Sequence, residues 1–292
     1  MKVALIYGGP SPEAEISRKS AESVERALKK LGHRVLKLEL TKELPLKLAA
    51  ESPDVAFLAL HGSPGEDGTV QGLLEIMGIP YTGCGVTTSA VAIDKDLTKR
   101  LLKSHGIRVP AGITVFRGQE IPEPAELPCI VKPARVGSSV GLSLVKSQEE
   151  FERAVNEALT VDAKALIEEF IEGREITVGV LNGRPLPPVE ILTPGELYDY
   201  EAKYSDSRTE YVVPAELGRK TQERLCRLAE KAYKVLECRG AVRVDFRLDK
   251  YNSPVLLEIN TIPGLTERSL LPKAAKAAGM EFEELIAEML PK

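Results

Sequence analysis

Residues 241–260 read AVRVDFRLDKYNSPVLLEIN, two alternating runs on either side of a polar turn. Side chains along a strand alternate between faces with period two, so Val242, Val244, Phe246 and Leu248 share one face of the first run. Arg243, Asp245 and Arg247 share the other, and Glu258 and Asn260 fall together on one face of the second run. An antiparallel hairpin turning through DKYNSP, with Leu248 opposite Val255, sets Asp245 against Glu258 and Arg243 against Asn260. Two facing carboxylates repel unless a cation lies between them, and an oxygen-only donor set favours magnesium or manganese over zinc. The competing reading is the solvent-facing polar side of an edge hairpin. The next stretch weakens it, because EINTIPGLTERS holds a Pro-Gly turn and leads into a helix start, SLLPKAAKAAG, whose backbone amides suit an anion. Metal, arginine and anion site together point to phosphoryl transfer, in which positioning and charge neutralisation carry most of the catalysis.

A second glycine- and serine-rich run, KPARVGSSVG at 132–141, lies between the apolar stretches CIV and LSLV. Small residues let several backbone amides approach one anion. The run lacks the lysine followed by Ser or Thr that ends a Walker loop, and LSLV alternates like a strand, not a helix. It therefore reads as the tip of a strand-loop-strand hairpin, with Lys132 entering from the stem.

Toward the N-terminus, KVALIYGG, AEISRKSAESVERALKKLG, HRVLKLEL and DVAFLALHG alternate strand-like and helix-like patterns. This is the rhythm of βα units on a parallel, Rossmann-like sheet, where ligands gather at the carboxyl ends of the strands. GGPSPEAE and LHGSPGED occupy those ends and make Glu13 and His61 candidate site residues. Glu13 has an alternative role as a carboxylate in the first turn of a helix, favoured by its dipole. Between these parts lie DKDLTKRLLKSHGIRVPAG, a basic helix closed by Gly106, and a helix opened by a capping box from Ser147 to Glu150. Asn182-Gly183 marks a hairpin turn inside ITVGVLNGRPLPPVEI, and the polar, tyrosine-rich YDYEAKYSDSRTEY reads as a lid.

The length of 292 residues and a hydrophobic content of 43% allow about two domains with sizeable cores. A net charge of −4 gives no field of one sign, so nucleic acid is not an expected partner. The four cysteines are far apart with no CxxC spacing, so neither a disulfide framework nor a thiolate zinc site is indicated and reduced thiols are expected. MKVALIYGG reaches turn residues too soon for a signal peptide or membrane span, so a cytoplasmic protein is expected.

GGPSPEAEIS, LHGSPGEDGTVQGLLEIMGIPYTG, KPARVGSSVG, YDYEAKY and LEINTIPGLTERSLLP together resemble D-alanine:D-alanine ligases, ATP-grasp enzymes of peptidoglycan precursor synthesis. The resemblance implies an α/β chain of three parts. These are an N-terminal Rossmann-like domain at 1–94, a central ATP-grasp lid domain at 95–173, and a C-terminal ATP-grasp domain at 174–292 with ATP held between the last two. It implies that Lys95 and Lys132 contact the ATP phosphates, that Glu168 meets the adenine amino edge, and that Glu169 and Ile171 contact the base through backbone. Glu175 takes the ribose hydroxyls, and Lys203 lies near the transferred phosphate. Asp245, Glu258 and Asn260 match ligands for two Mg2+ or Mn2+ ions, while Arg243 and the amide of Gly264 match oxyanion-stabilising groups. Glu13 corresponds to the residue that receives the ammonium of the first D-alanine, with Ser138 and Tyr204 as its hydrogen-bonded partners. Ser269 and Leu270 match the pocket for the second D-alanine. Tyrosine at 204 implies D-alanine as second substrate, since depsipeptide-forming relatives carry phenylalanine there. A homodimer through the first domain is implied as well. Val136 departs from the family, which often has an acidic residue there. Two other readings stay open: a different ATP-grasp ligase with another acceptor, discriminated by Glu13, Tyr204 and Ser269, and a non-catalytic nucleotide-binding sensor.

Overall fold

The computed structural model describes residues 1–11, 13–124, 126–198 and 208–291; Lys203, Tyr204 and most of the expected lid at 198–211 lie outside the described residues. The first third comprises β1 (Lys2–Tyr7), α1 (Ala14–Lys30), β2 (Arg34–Glu39), α2 (Leu44–Glu51), β3 (Val55–Ala59), α3 (Thr69–Met77), α4 (Val86–Ile93) and α5 (Lys95–Ser104). Its strands form a parallel sheet in the order β2-β1-β3. Val3, Leu5, Phe57 and Ala59 point into a core shared with α1, and Ala4, Ile6, Ala56 and Leu58 into a second one under α2 and α3. Burial on both faces explains why β1 and β3 read as continuous apolar runs.

The next part is an antiparallel sheet of β4 (Gly112–Phe116), β5 (Cys129–Pro133), β6 (Ser143–Val145) and β7 (Lys164–Glu169), ordered β4-β7-β5-β6. Helix α6 (Gln148–Val161) covers one face with Phe151, Val155 and Ala158. The expected capping box at its start does not form. Ser147 is the N-cap but makes no side-chain cap bond, and Glu150 reaches one residue further back to accept from the Lys146 amide at 3.1 Å. As expected from its pattern, KPARVGSSVG joins two antiparallel strands, with Lys132 in β5.

The last part is a second antiparallel sheet of β8 (Arg174–Leu181), β9 (Arg184–Pro185), β10 (Val189–Leu192), β11 (Glu210–Val212), β12 (Ala241–Leu248) and β13 (Pro254–Asn260). The order is β11-β10-β8-β12-β13, with β9 on β8 through the Asn182-Gly183 turn, whose two residues both have positive φ as a type I′ turn requires. Helix α7 (Arg219–Val235) packs on one face and α8 (Leu270–Ala277) with α9 (Phe282–Met289) on the other. Leu270, Leu285 and Ile286 join the same core as Phe57 and Val24, so the first and last parts share buried surface. Lys30 on α1 pairs with Glu283 on α9 at 2.6 Å across this junction.

The hairpin of residues 241–260 forms, with one correction to the expected register. Asp245 lies opposite Glu258 and Arg243 opposite Asn260, but Leu248 pairs with Pro254 and not Val255. A register shift between Asp245 and Phe246 inserts an extra residue on β13, a bulge that perfect alternation could not anticipate.

Candidate active site between the antiparallel sheets

A cleft opens between the two antiparallel sheets, walled by Lys132 of β5, the 136–140 loop, Glu168 of β7, Glu175 of β8, Asp245 and Arg247 of β12, Glu258 of β13, and Tyr198. Strand alternation explains the wall. The apolar face of β12, with Val242, Val244 and Phe246, packs toward α7, which turns Arg243, Asp245 and Arg247 toward the cleft.

At one end Asp245 accepts hydrogen bonds on both oxygens. Its Oδ1 accepts from Thr177 Oγ1 at 2.6 Å and Arg243 Nε at 2.9 Å, and its Oδ2 from Arg243 Nη2 at 2.8 Å and Asn260 Nδ2 at 3.0 Å. Burial works against the charge of Arg243, and the Asp245 and Glu258 carboxylates outweigh it, holding the guanidinium above its ordinary value. Lys95 Nζ, at the start of α5, donates to the Val136 carbonyl at 2.9 Å and stands 3.7 Å from Glu258. The 132–141 loop, α5 and the β12–β13 hairpin thus meet at one point.

On the other side of the loop, Ser138 Oγ donates to Glu13. Glu13 is the N-cap of α1 but makes no capping bond, so its carboxylate serves the Ser138 contact and not the helix end. Two glycines make room for it. A Cβ on Gly137 would lie 2.8 Å from Glu13 Oε2, and one on Gly62 would lie 2.5 Å from Ser11 Oγ and 3.4 Å from Glu13 Oε2. His61 is buried beside this point, with Nε2 lacking a partner among the described residues. Burial lowers its affinity for a proton, Glu13 opposing and Arg243 adding to the fall, so the imidazole is neutral at neutral pH.

At the base of the cleft Glu168 is held by two lysines, Lys99 on Oε1 and Lys132 on Oε2, the latter at 3.0 Å. Burial opposes the Glu168 charge, yet the Lys132 and Lys99 ammonium groups outweigh it and keep the carboxyl below its usual range. Glu169 turns outward, its Oε1 accepting from the Ala111 amide at 2.8 Å, while Ile171 is buried. Arg247 Nη2 donates to Glu175 Oε2 at 3.1 Å and to the Glu196 carbonyl at 2.6 Å. Beyond β13, a Cβ on Gly264 would meet Ser269 Oγ at 2.8 Å. Ser269 is the N-cap of α8 and accepts from the Thr266 amide at 3.0 Å, with Leu270 buried behind it.

The structure therefore gathers Glu13, Ser138, Lys95, Arg243, Asp245, Glu258 and Asn260 at one place, and Lys132, Glu168, Glu175 and Ile171 along the same cleft. Four participants are not evident from sequence pattern: Thr177, Lys99, Arg247 as the partner of Glu175, and Glu66. The Glu66 carboxylate is buried under the loop after β3 and accepts from the Gly62 amide at 2.6 Å. Burial, then the neighbouring Glu13 charge, pushes Glu66 up to about 8. It sits inside the LHGSPGED run that marked a ligand-binding strand end, a signal that located the loop but not the residue.

A parallel-sheet domain followed by two antiparallel sheets facing each other across a cleft of lysines, arginines and carboxylates defines an ATP-grasp protein. A family model for the D-ala D-ala ligase C-terminus matches residues 110–291, and one for the D-ala D-ala ligase N-terminus matches 45–84. The D-alanine--D-alanine ligase of Aquifex aeolicus is 48% identical over 291 residues, covering 98% of this chain and 99% of the relative. That of Citrifermentans bemidjiense is 45% identical over 289 residues, covering 99% and 95%. Among solved structures, D-alanine--D-alanine ligase from Bacillus anthracis complexed with ATP superposes with a TM-score of 0.88 at 32% identity, covering 99% of this chain and 96% of that one. The chain belongs to the D-alanine--D-alanine ligase family.

Proposed function

We propose that this protein joins two D-alanine molecules to D-alanyl-D-alanine at the expense of ATP, through a D-alanyl phosphate, for peptidoglycan precursor synthesis. The observation that carries the reading is the convergence on one cleft of the Glu13–Ser138 contact, the Asp245–Glu258 pair and the lysines Lys95 and Lys132. ATP in the Bacillus anthracis complex supports ATP here as co-substrate.

In this reading Glu13 takes the ammonium of the first D-alanine, with Ser138 and Tyr204 orienting Glu13 and neutral His61 completing the pocket. The carboxylate of that D-alanine attacks the γ-phosphate, the bond to the bridging oxygen breaks and ADP leaves, giving the D-alanyl phosphate. Lys95, Lys132 and Lys203 are the cations that would neutralise the phosphate oxygens. Glu168, the backbone of Glu169 and Ile171, and Glu175 hold the base and ribose. The amine of the second D-alanine, seated against Ser269 and Leu270, then attacks the acyl phosphate and displaces phosphate, while Arg243 and the Gly264 amide meet the developing oxyanion. Activation is needed because a carboxylate is a poor electrophile at neutral pH.

Asp245, Glu258 and Asn260 would hold two Mg2+ or Mn2+ ions, and their chemistry fits: all can offer oxygen, and Asn260 spends its amide nitrogen on Asp245 and keeps its oxygen for a cation. Arg243 and Lys95 supply positive charge at the two carboxylates. When bound, the ions neutralise charge on the transferred phosphate.

Phosphate release that requires both D-alanine and magnesium tests the assignment. Release with a different amino or hydroxy acid and none with D-alanine would replace it by another ATP-grasp ligase, and nucleotide binding without turnover by a sensor. We further propose a homodimer through the first domain, the domain limits 1–94, 95–173 and 174–292, and a cytoplasmic setting. No helix among the described residues is long and apolar enough to cross a membrane. Light scattering and limited proteolysis near 94 and 173 check the first two.

A further inference from the structure

Glu168 has both carboxylate oxygens occupied by ammonium groups that arrive from different elements, Lys99 from α5 and Lys132 from β5. The side chains of Glu168 and Lys99 are 4% and 7% exposed. Lys132 and Glu168 line the cleft, and Lys99 reaches Glu168 from outside that lining. Helix α5 has its own anchor: Asp94 caps it by accepting from the Asp96 and Leu97 amides, and Leu102 is buried in the core with α7. Lys99 is thus an amine delivered by a fixed helix to the back of one carboxylate; burial pulls it down to about 7, and the Glu168 carboxylate opposes that fall, so its proton is held by the pair.

We propose that Lys99 is a positioning residue that makes the nucleotide site select a 6-aminopurine over a 6-oxopurine, by fixing Glu168 as an acceptor-only carboxylate at the edge of the base. The inference rests on the nucleotide reading above, in which Glu168 meets that edge. An ionised carboxylate carries no proton, so it pairs with the exocyclic amino group of adenine and repels a carbonyl oxygen at the same position. Without Lys99, a carboxyl this buried would keep Lys132 alone as its counter-charge and shift toward its protonated form. It would then offer an O–H that a 6-oxo group accepts. Lys132 cannot serve as the sole guard, because it stands in the cleft beside the phosphate path and its ammonium also answers to Glu258.

The test compares ATP with inosine triphosphate, which carries oxygen in place of the 6-amino group and a proton on N1. Titration calorimetry on the full chain, with magnesium and without D-alanine, reads both affinities. Unaltered protein is expected to favour ATP by roughly 10- to 100-fold, the range for a hydrogen bond to a charged group. In Lys99→Met this ratio falls to within a few-fold, Lys99→Arg restores most of it, and the KM for D-alanine stays unchanged. Equal losses for the two nucleotides in Lys99→Met would mean a merely structural lysine and overturn the proposal, as would no preference in the unaltered chain. Should Lys99→Met not fold, Glu168→Gln decides the same question. Its amide offers a donor, so the ratio must drop with Lys99 in place, and an unchanged ratio sinks the idea. Selectivity that follows these variants while D-alanine yields no product would refute the ligase reading and leave this one standing. Failure to bind either nucleotide would remove both.

Discussion

Ser138 donates its hydroxyl hydrogen to the carboxylate of Glu13, 125 residues earlier in the chain. Ser138 and Ser139 both have positive φ, and Ser139 Oγ donates to the Tyr198 carbonyl at 3.1 Å, so the loop tip between β5 and β6 is pinned to the first domain and to the edge of the expected lid. Substituting Ser138→Ala removes one partner of a charged acceptor, a loss of about 1.5–3 kcal/mol. The expected result is a 10- to 100-fold lower kcat/KM for D-alanine with little change in ATP affinity. Initial-rate kinetics in both substrates checks it, and equal losses for D-alanine and ATP would contradict the pairing.

Gly62 has φ +69, and a Cβ there would lie 2.5 Å from Ser11 Oγ. Gly62→Ala therefore meets both backbone strain and a clash beside Glu13. D-alanine binding should be lost by calorimetry while ATP still binds and the protein still melts cooperatively.

Thr177 donates to Asp245 Oδ1 at 2.6 Å from the neighbouring strand β8. Thr177→Val keeps the shape and removes the hydrogen bond. Partners of this kind tune metal affinity by roughly 10- to 100-fold. The half-saturating magnesium concentration for ADP release should rise into that range, and Asp245→Asn should cost more than Thr177→Val.

Glu66 is raised to about 8 by burial and by Glu13, above its unfolded value of 4.5. The native state therefore binds more protons than the unfolded chain between these values, and this group's contribution is full below 4.5 and lost as pH rises through about 8. Glu66→Gln keeps an acceptor for the Gly62 amide and cannot ionise. It should match the unaltered protein in thermal melts at pH 5 and exceed it at pH 9; a constant offset at both would disprove the buried proton.

Much of the β12–β13 hairpin was legible because strand alternation is local. Period two alone set Arg243, Asp245 and Arg247 on one face, and the Asp245–Glu258 pairing followed from a short turn. The same locality limited the reading at Leu248, since a bulge depends on how β13 fits its neighbours. It also limited Ser147 and Glu150, where a residue pattern that permits a capping box left Glu150 on the Lys146 amide instead.

The sequence by itself determined the alternation of elements, the oxygen-donor hairpin, the strand-loop-strand form of KPARVGSSVG and, through long ordered motifs, the family. Only the tertiary structure decided that Lys99 stands behind Glu168, that Arg247 answers Glu175, and that Glu66 lies buried under Gly62. These relationships join residues from separate elements, or depend on how far a loop is sunk from water. Burial and the distance between charges set their ionisation, and neither quantity is written in the spacing along a chain.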